Sequence, residues 1–171
     1  KNATGGDISA AVNGIISARL PHAFLGIARN GLSAIMHTTG NRDSHLVLRG
    51  GTDKPNYDKA SVLNAAAVLK KENIESGILI DCSHGNSRRI PSKQKDVLLK
   101  SLALRFSKDA CAECIRGCML ESFIREGRAE IADCRLPENY GKSITDPCIG
   151  WETTEALLEE AYRQYLKKLN F

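Results

Sequence analysis

Apolar residues along this chain follow two patterns. Some recur every three or four positions, which gives a helix one apolar face. Others run together for four to six positions, which reads as a strand buried on both faces. Ile8, Val12, Ile15, Ile16 and Leu20 share a face, so a helix is predicted over about 7–20, capped by Asp7 and stopped by Pro21. Val62, Leu63, Ala66 and Leu69 define a second helix behind the cap Asp58. Val97, Leu98, Leu102 and Phe106 define a third, begun by Pro91-Ser92. Leu157, Leu158, Ala161, Tyr165 and Leu169 define a last one over roughly 151–169, with Trp151 as a core anchor at its start. The continuous runs predict strands near 23–27, 34–38, 45–49, 77–82 and 115–120. Gly40-Asn41-Arg42-Asp43 is turn chemistry, so residues 31–49 read as a β-excursion that returns to the sheet.

Alternation of strands and helices predicts an α/β fold with right-handed βα units on a parallel sheet. The run Gly77-Ile78-Leu79-Ile80 breaks abruptly into Asp81-Cys82-Ser83-His84-Gly85-Asn86-Ser87. Two other strands end the same way, in Arg49-Gly50-Gly51 and in Glu121-Ser122. Parallel sheets and barrels carry their chemistry at such C-terminal strand ends. A (β/α)8 barrel is the leading architecture, but the units present are too few to close one of ~250 residues. The chain also opens on Lys1-Asn2-Ala3-Thr4-Gly5-Gly6, a loop of the kind that follows a strand. The expectation is a single partial domain over 1–171, the C-terminal half of a barrel. Residues 125–146 are polar and weakly patterned, and a loop of that length is usually functional or mobile.

Composition narrows the partners. The 24 basic and 20 acidic residues leave a net charge of +4, scattered rather than clustered, and aromatics make up only 5%. That argues against a stacking platform for nucleic acid and for small anionic ligands. No apolar stretch approaches the ~20 residues of a membrane span, and the first residues lack the apolar core of a signal peptide. Six cysteines in an α/β chain without a secretory signal are expected as free thiols in the cytoplasm. Cys111, Cys114 and Cys118 lack a second ligand pair at zinc-finger spacing and are expected to be small apolar packing residues.

Three residues are candidate metal ligands: His84, Glu121 and Asp146. One imidazole with two carboxylates suits a divalent Mn, Fe, Co or Zn ion. Each has a plainer alternative: a turn histidine, a surface acid, and a helix cap in Thr145-Asp146-Pro147. Lys1 and Arg49 are candidate anion ligands, Lys as a point charge and Arg through bidentate bonds. Gly50-Gly51 would let a ligand approach the backbone, whereas a structural ion pair is the alternative for Arg49. His22, His37 and His45 read as packing or surface residues.

Several motifs occur in order: Lys1-Asn2-Ala3-Thr4-Gly5-Gly6, Leu46-Val47-Leu48-Arg49-Gly50-Gly51, Pro55-Asn56-Tyr57, Ile80-Asp81-Cys82-Ser83-His84-Gly85-Asn86-Ser87, Met119-Leu120-Glu121-Ser122, and the stretch 140–152. Together they resemble the second half of a type I 3-deoxy-D-arabino-heptulosonate 7-phosphate (DAHP) synthase, the first enzyme of the shikimate pathway. The resemblance covers essentially the whole chain. It implies a (β/α)8 barrel that condenses phosphoenolpyruvate with D-erythrose 4-phosphate and releases phosphate. It assigns His84, Glu121 and Asp146 to a divalent metal and Lys1 and Arg49 to phosphoenolpyruvate. It also places His84 near the sugar phosphate or a transferred proton. The family's fourth metal ligand is a cysteine of the first half, and no cysteine here sits in a matching motif. The opening motif departs from the family's Lys-Asn-Gly-Thr-Asp-Gly at Ala3 and Gly5.

The same resemblance implies dimers or tetramers and feedback inhibition by an aromatic amino acid. The inhibitor pocket is lined partly by the Phe24–Gly26 region and by Met36. Gly26 leaves more room than a serine, which favours tyrosine over phenylalanine. Two alternatives remain open at this point: a related 3-deoxy-octulosonate 8-phosphate synthase, and a non-catalytic module that binds a phosphosugar or a metal.

Overall fold

The computed structural model describes residues 1–169 of the 171; the side chain of Leu169, expected on the last helix's core face, lies outside the described residues. Three apolar runs become a parallel sheet of order β3-β4-β5: β3 Leu46–Leu48, β4 Ile78–Asp81 and β5 Ile115–Met119. Leu46, Leu48, Ile78, Ile80 and Ile115 are wholly buried and form the centre of the core. Three helices cover this sheet: α1 Ser9–Ala18, α2 Lys59–Lys71 and α3 Gln94–Arg105. Val12, Ile15, Val62, Leu69, Val97 and Leu98 are their inward residues, as the helical spacing predicts. Asp58 caps α2 by accepting from the Ser61 amide at 3.0 Å. At α1 the cap slips by one: Asp7 accepts from the Ser9 amide, and Leu20 falls beyond the helix, 56% exposed.

The first two strands depart from the expected sheet. β1 His22–Ile27 and β2 Ser33–Thr38 pair only with each other, antiparallel, with Phe24 opposite Met36. The strand near 23–27 is therefore not a member of the parallel sheet. The five residues between β1 and β2 dictate this, because a link that short joins antiparallel strands, whereas a parallel pair needs a crossover of a dozen or more. The hairpin turn lies there and not at residues 40–43; the Ala28 amide donates to the Leu32 carbonyl and Gly31 takes φ +81°.

The last helix, α4 Trp151–Leu169, is rotated relative to its apolar spacing. Thr154 and Leu157 face inward, while Leu158 and Tyr165 are exposed. Trp151 is 62% exposed, so it is no core anchor. Residues 125–146 hold no strand or α-helix, only two short 3-10 turns at Ile131–Asp133 and Pro137–Asn139, and are pinned by isolated bridges, Gly127 with Cys148 and Arg128 with Ser143. All six cysteines are free. Cys82 sits wholly buried between β4 and β5, and hydrogen bonding with Cys118 together with burial raises its pKa, so it packs as a neutral thiol.

The loops after β3 and β4 are pressed together backbone to backbone. A Cβ on Gly50, which has φ +78°, would lie 2.3 Å from the Asn86 amide nitrogen. One on Gly85 would lie 2.6 Å from the Gly51 carbonyl oxygen. These glycines serve the contact between two loops, which brings the ends of β3 and β4 to one place.

Candidate metal centre

The site is built around the last residue of β4. Ile78 and Ile80 turn to the core, and two residues after Leu79 the same alternation sends Asp81 toward the sheet's other face. Asp81 is nonetheless 0% exposed, and a buried carboxylate needs partners. It has three. Its Oδ2 accepts from Lys1 Nζ at 2.8 Å and lies 3.0 Å from His84 Nδ1, an ion-pair distance without hydrogen-bond alignment. Its Oδ1 accepts from the Ser83 amide at 2.9 Å. One carboxylate thus gathers Lys1 and His84, which are far apart in sequence.

His84 stands at φ +48°, a left-handed conformation that a β-carbon disfavours. The turn around it is held by Asn86, whose side-chain amide donates to the Leu48 and Asp81 carbonyls at 3.0 and 2.8 Å. The strained backbone turns the imidazole so that Nδ1 faces Asp81 and Nε2 faces away from it.

Nε2 faces two carboxylates. Glu121 Oε1 is 3.5 Å away and Asp146 Oδ2 is 3.7 Å away. The donor atoms of all three lie within 4.8 Å of one another. Ligands ~2.0–2.2 Å from one ion stand roughly 3.0–3.6 Å apart, so the His84 contacts fit a shared cation with little adjustment. Two carboxylates this close also repel, and a cation between them relieves that repulsion. Asp146 is not a helix cap, since α4 begins only at Trp151. Glu121 is fixed twice. Its Oε2 accepts from Ser83 Oγ at 2.7 Å. Its backbone is clasped by the wholly buried Gln94, which donates to the Glu121 carbonyl at 3.0 Å and accepts from its amide at 2.8 Å.

Arg49 leaves the end of β3 into a cleft of about 460 Å³ that His84, Arg88 and Arg89 also line. Its guanidinium has no ion pair among the described residues, so the structural alternative for Arg49 is not realised. Its backbone is set by Asn2, whose side-chain oxygen accepts from the Arg49 amide at 2.7 Å. Lys1, Arg49, His84, Glu121 and Asp146 therefore surround one region of the molecule.

Phe24, Gly26 and Met36 stand together elsewhere, on the β1–β2 ribbon. The space at Gly26 is filled from across the ribbon: a Cβ there would lie 2.6 Å from Met36 Cγ. Sequence reasoning did not single out Asp81, Ser83 or Gln94. An acid directly after Ile78-Leu79-Ile80 was a legible signal, since a carboxylate at the end of a buried run must be paired. Nothing in the sequence marks Gln94, whose partner is the backbone of Glu121.

The profile of the DAHP synthetase I family matches residues 1–159. The chain is similar to a Tyr-sensitive phospho-2-dehydro-3-deoxyheptonate aldolase of Enterobacter agglomerans, 40% identical over 163 residues, covering 95% of this chain and 75% of the relative. It is similar to the Phe-sensitive aldolase of that name from Escherichia coli K12, 40% identical over 166 residues, covering 94% of this chain and 44% of the relative. A solved phospho-2-dehydro-3-deoxyheptonate aldolase from Francisella tularensis superposes with a TM-score of 0.84 at 40% identity, covering 95% of this chain and 46% of that one. The chain spans less than half the length of the latter two proteins. No helix among the described residues is long and apolar enough to cross a membrane.

Proposed function

The chain belongs to the DAHP synthetase I family, and on that premise we propose that it forms the C-terminal half of a (β/α)8 barrel that makes DAHP and phosphate from phosphoenolpyruvate and D-erythrose 4-phosphate in the cytoplasm. The convergence of His84, Glu121 and Asp146 beside Lys1 and Arg49 carries this reading. His84 Nε2 and the two carboxylates would hold a divalent Mn, Fe, Co or Zn ion, which would supply Lewis-acid polarisation of the sugar aldehyde. Lys1 and Arg49 bind phosphoenolpyruvate, Arg49 as a fork and Lys1 as a point charge steered by Asp81. Carbon 3 of phosphoenolpyruvate forms the new bond to the aldehyde carbon, whose oxygen takes up a proton. Water adds at carbon 2, and phosphate leaves as its C–O bond breaks. His84, fixed on its Nδ1 side by Asp81, lies where it can also touch the sugar phosphate or assist a proton.

The test is release of orthophosphate from the two substrates by the full-length protein, with and without added Mn²⁺. Turnover that needs the ion is expected. Arg49→Ala is expected to raise KM for phosphoenolpyruvate by tenfold or more, equivalent to about 1.4 kcal/mol or more of lost binding. Bound metal without turnover would overturn the reaction in favour of a binding module.

Phe24, Gly26 and Met36 form part of a pocket for an inhibitory aromatic amino acid, and the full-length protein is a dimer or tetramer. The names of the two relatives support inhibition, and the exposed apolar side chains of the ribbon support its being covered in the assembled protein. Inhibition assays with each aromatic amino acid test this. Tyrosine is expected to act most strongly, and phenylalanine acting alone would refute that preference.

A further inference from the structure

The cleft beside His84 carries more positive charge than one bound anion needs. Arg88 and Arg89 line it together with Arg49, and Asp53 is the one acid in its lining. Neither guanidinium has an ion-pair partner among the described residues. Both arginines are exposed, yet their backbones are not relaxed: φ is +54° at Arg88 and +58° at Arg89. A left-handed conformation is unfavourable for a residue with a β-carbon, and it persists only where the surroundings fix it.

Local hydrogen bonds supply that fixing. The Arg88 amide donates to the Gly85 carbonyl at 3.2 Å and the Arg89 amide to the His84 carbonyl at 2.7 Å. The Ile90 amide donates to the Ser87 carbonyl at 3.1 Å, and the wholly packed Asn86 anchors the turn to β3 and β4. Two adjacent arginines thus project from a fixed backbone along a cleft that His84 also lines.

We propose that Arg88 and Arg89 form a second anion subsite, next to Arg49, that takes a phosphate dianion. Two guanidinia offer paired N–H donors that match phosphate oxygens. The dianion comes either from a phosphorylated substrate or from orthophosphate on its way out, and so the inference rests on the reaction proposed above. It assigns Arg88 and Arg89 to binding and not to the bond-making step.

Orthophosphate titrated calorimetrically into the full-length protein tests the subsite without any turnover. In R88Q/R89Q the orthophosphate Kd is expected to rise roughly tenfold, the loss of charge-assisted bonds. A matching rise in KM for one substrate, with product inhibition unchanged, assigns the subsite to that substrate's phosphate. Weaker product inhibition alone assigns it to the leaving phosphate. R88G/R89G is the companion variant, because glycine accepts these φ values and removes the guanidinia without threatening the fold. Unchanged orthophosphate affinity and unchanged KM values in both folded variants would overturn the subsite and leave the reaction standing. A protein that binds orthophosphate through these arginines but never releases it from the two substrates would overturn the reaction instead.

Discussion

Asp81→Ala in the full-length protein is expected to cost about 3 kcal/mol of stability and to disorder the site with it. The carboxylate is 0% exposed and serves Lys1, His84 and the Ser83 amide at once. Removing it leaves the Lys1 ammonium without its counter-charge and the inner imidazole nitrogen without its polar neighbour, in a place that water cannot fully enter. The loss is held near the lower end of the range for broken buried pairs because Lys1 keeps 36% of its side chain in solvent. Chemical denaturation of the metal-free protein measures the effect. Asp81→Asn should fall between the two, since the amide keeps an acceptor for Ser83 but not the charge. A midpoint unmoved in the alanine variant would show that Lys1 and His84 are held by something else.

His84→Ala is expected to show the opposite division: metal and activity lost, fold retained. The imidazole contributes one donor atom of the three that converge, with Glu121 at 3.5 Å and Asp146 at 3.7 Å from it. Loss of a group that merely orients a ligand costs 10–100-fold in metal affinity, so loss of a ligand itself is expected to exceed about a hundredfold. Metal content after gel filtration reads this directly, and phosphate release should vanish with it. Because alanine keeps a β-carbon at φ +48°, the strain of this position stays; His84→Gly relieves it and is expected to fold at least as well. Metal content equal to wild type in either variant would remove His84 from the ligand set.

The helices were legible because their apolar spacing and the cap at Asp58 are local properties. The site was legible in outline because Arg49, His84 and Glu121 each follow a buried run, and a polar cluster there has few structural uses. Asp81 was missed for the converse reason. The apolar run it closes signals its burial, but its partners at positions 1 and 84 are not a local property. Gln94 was hidden more deeply, because it recognises backbone, which has no sequence.

By itself the sequence determined which segments are helices and strands, that free thiols pack the core, and which polar residues cap the parallel strands. Tertiary structure alone decided that β1 pairs with β2 away from the parallel sheet, and that Phe24, Trp151 and Tyr165 are exposed. It also decided that Lys1 and His84 meet at Asp81, and that Glu121 and Asp146 converge on the other nitrogen of His84. The division has a physical cause. Periodicity reports which face of an element is apolar, a property of neighbours in the chain. Pairing, exposure and the convergence of charges depend on what lies across space.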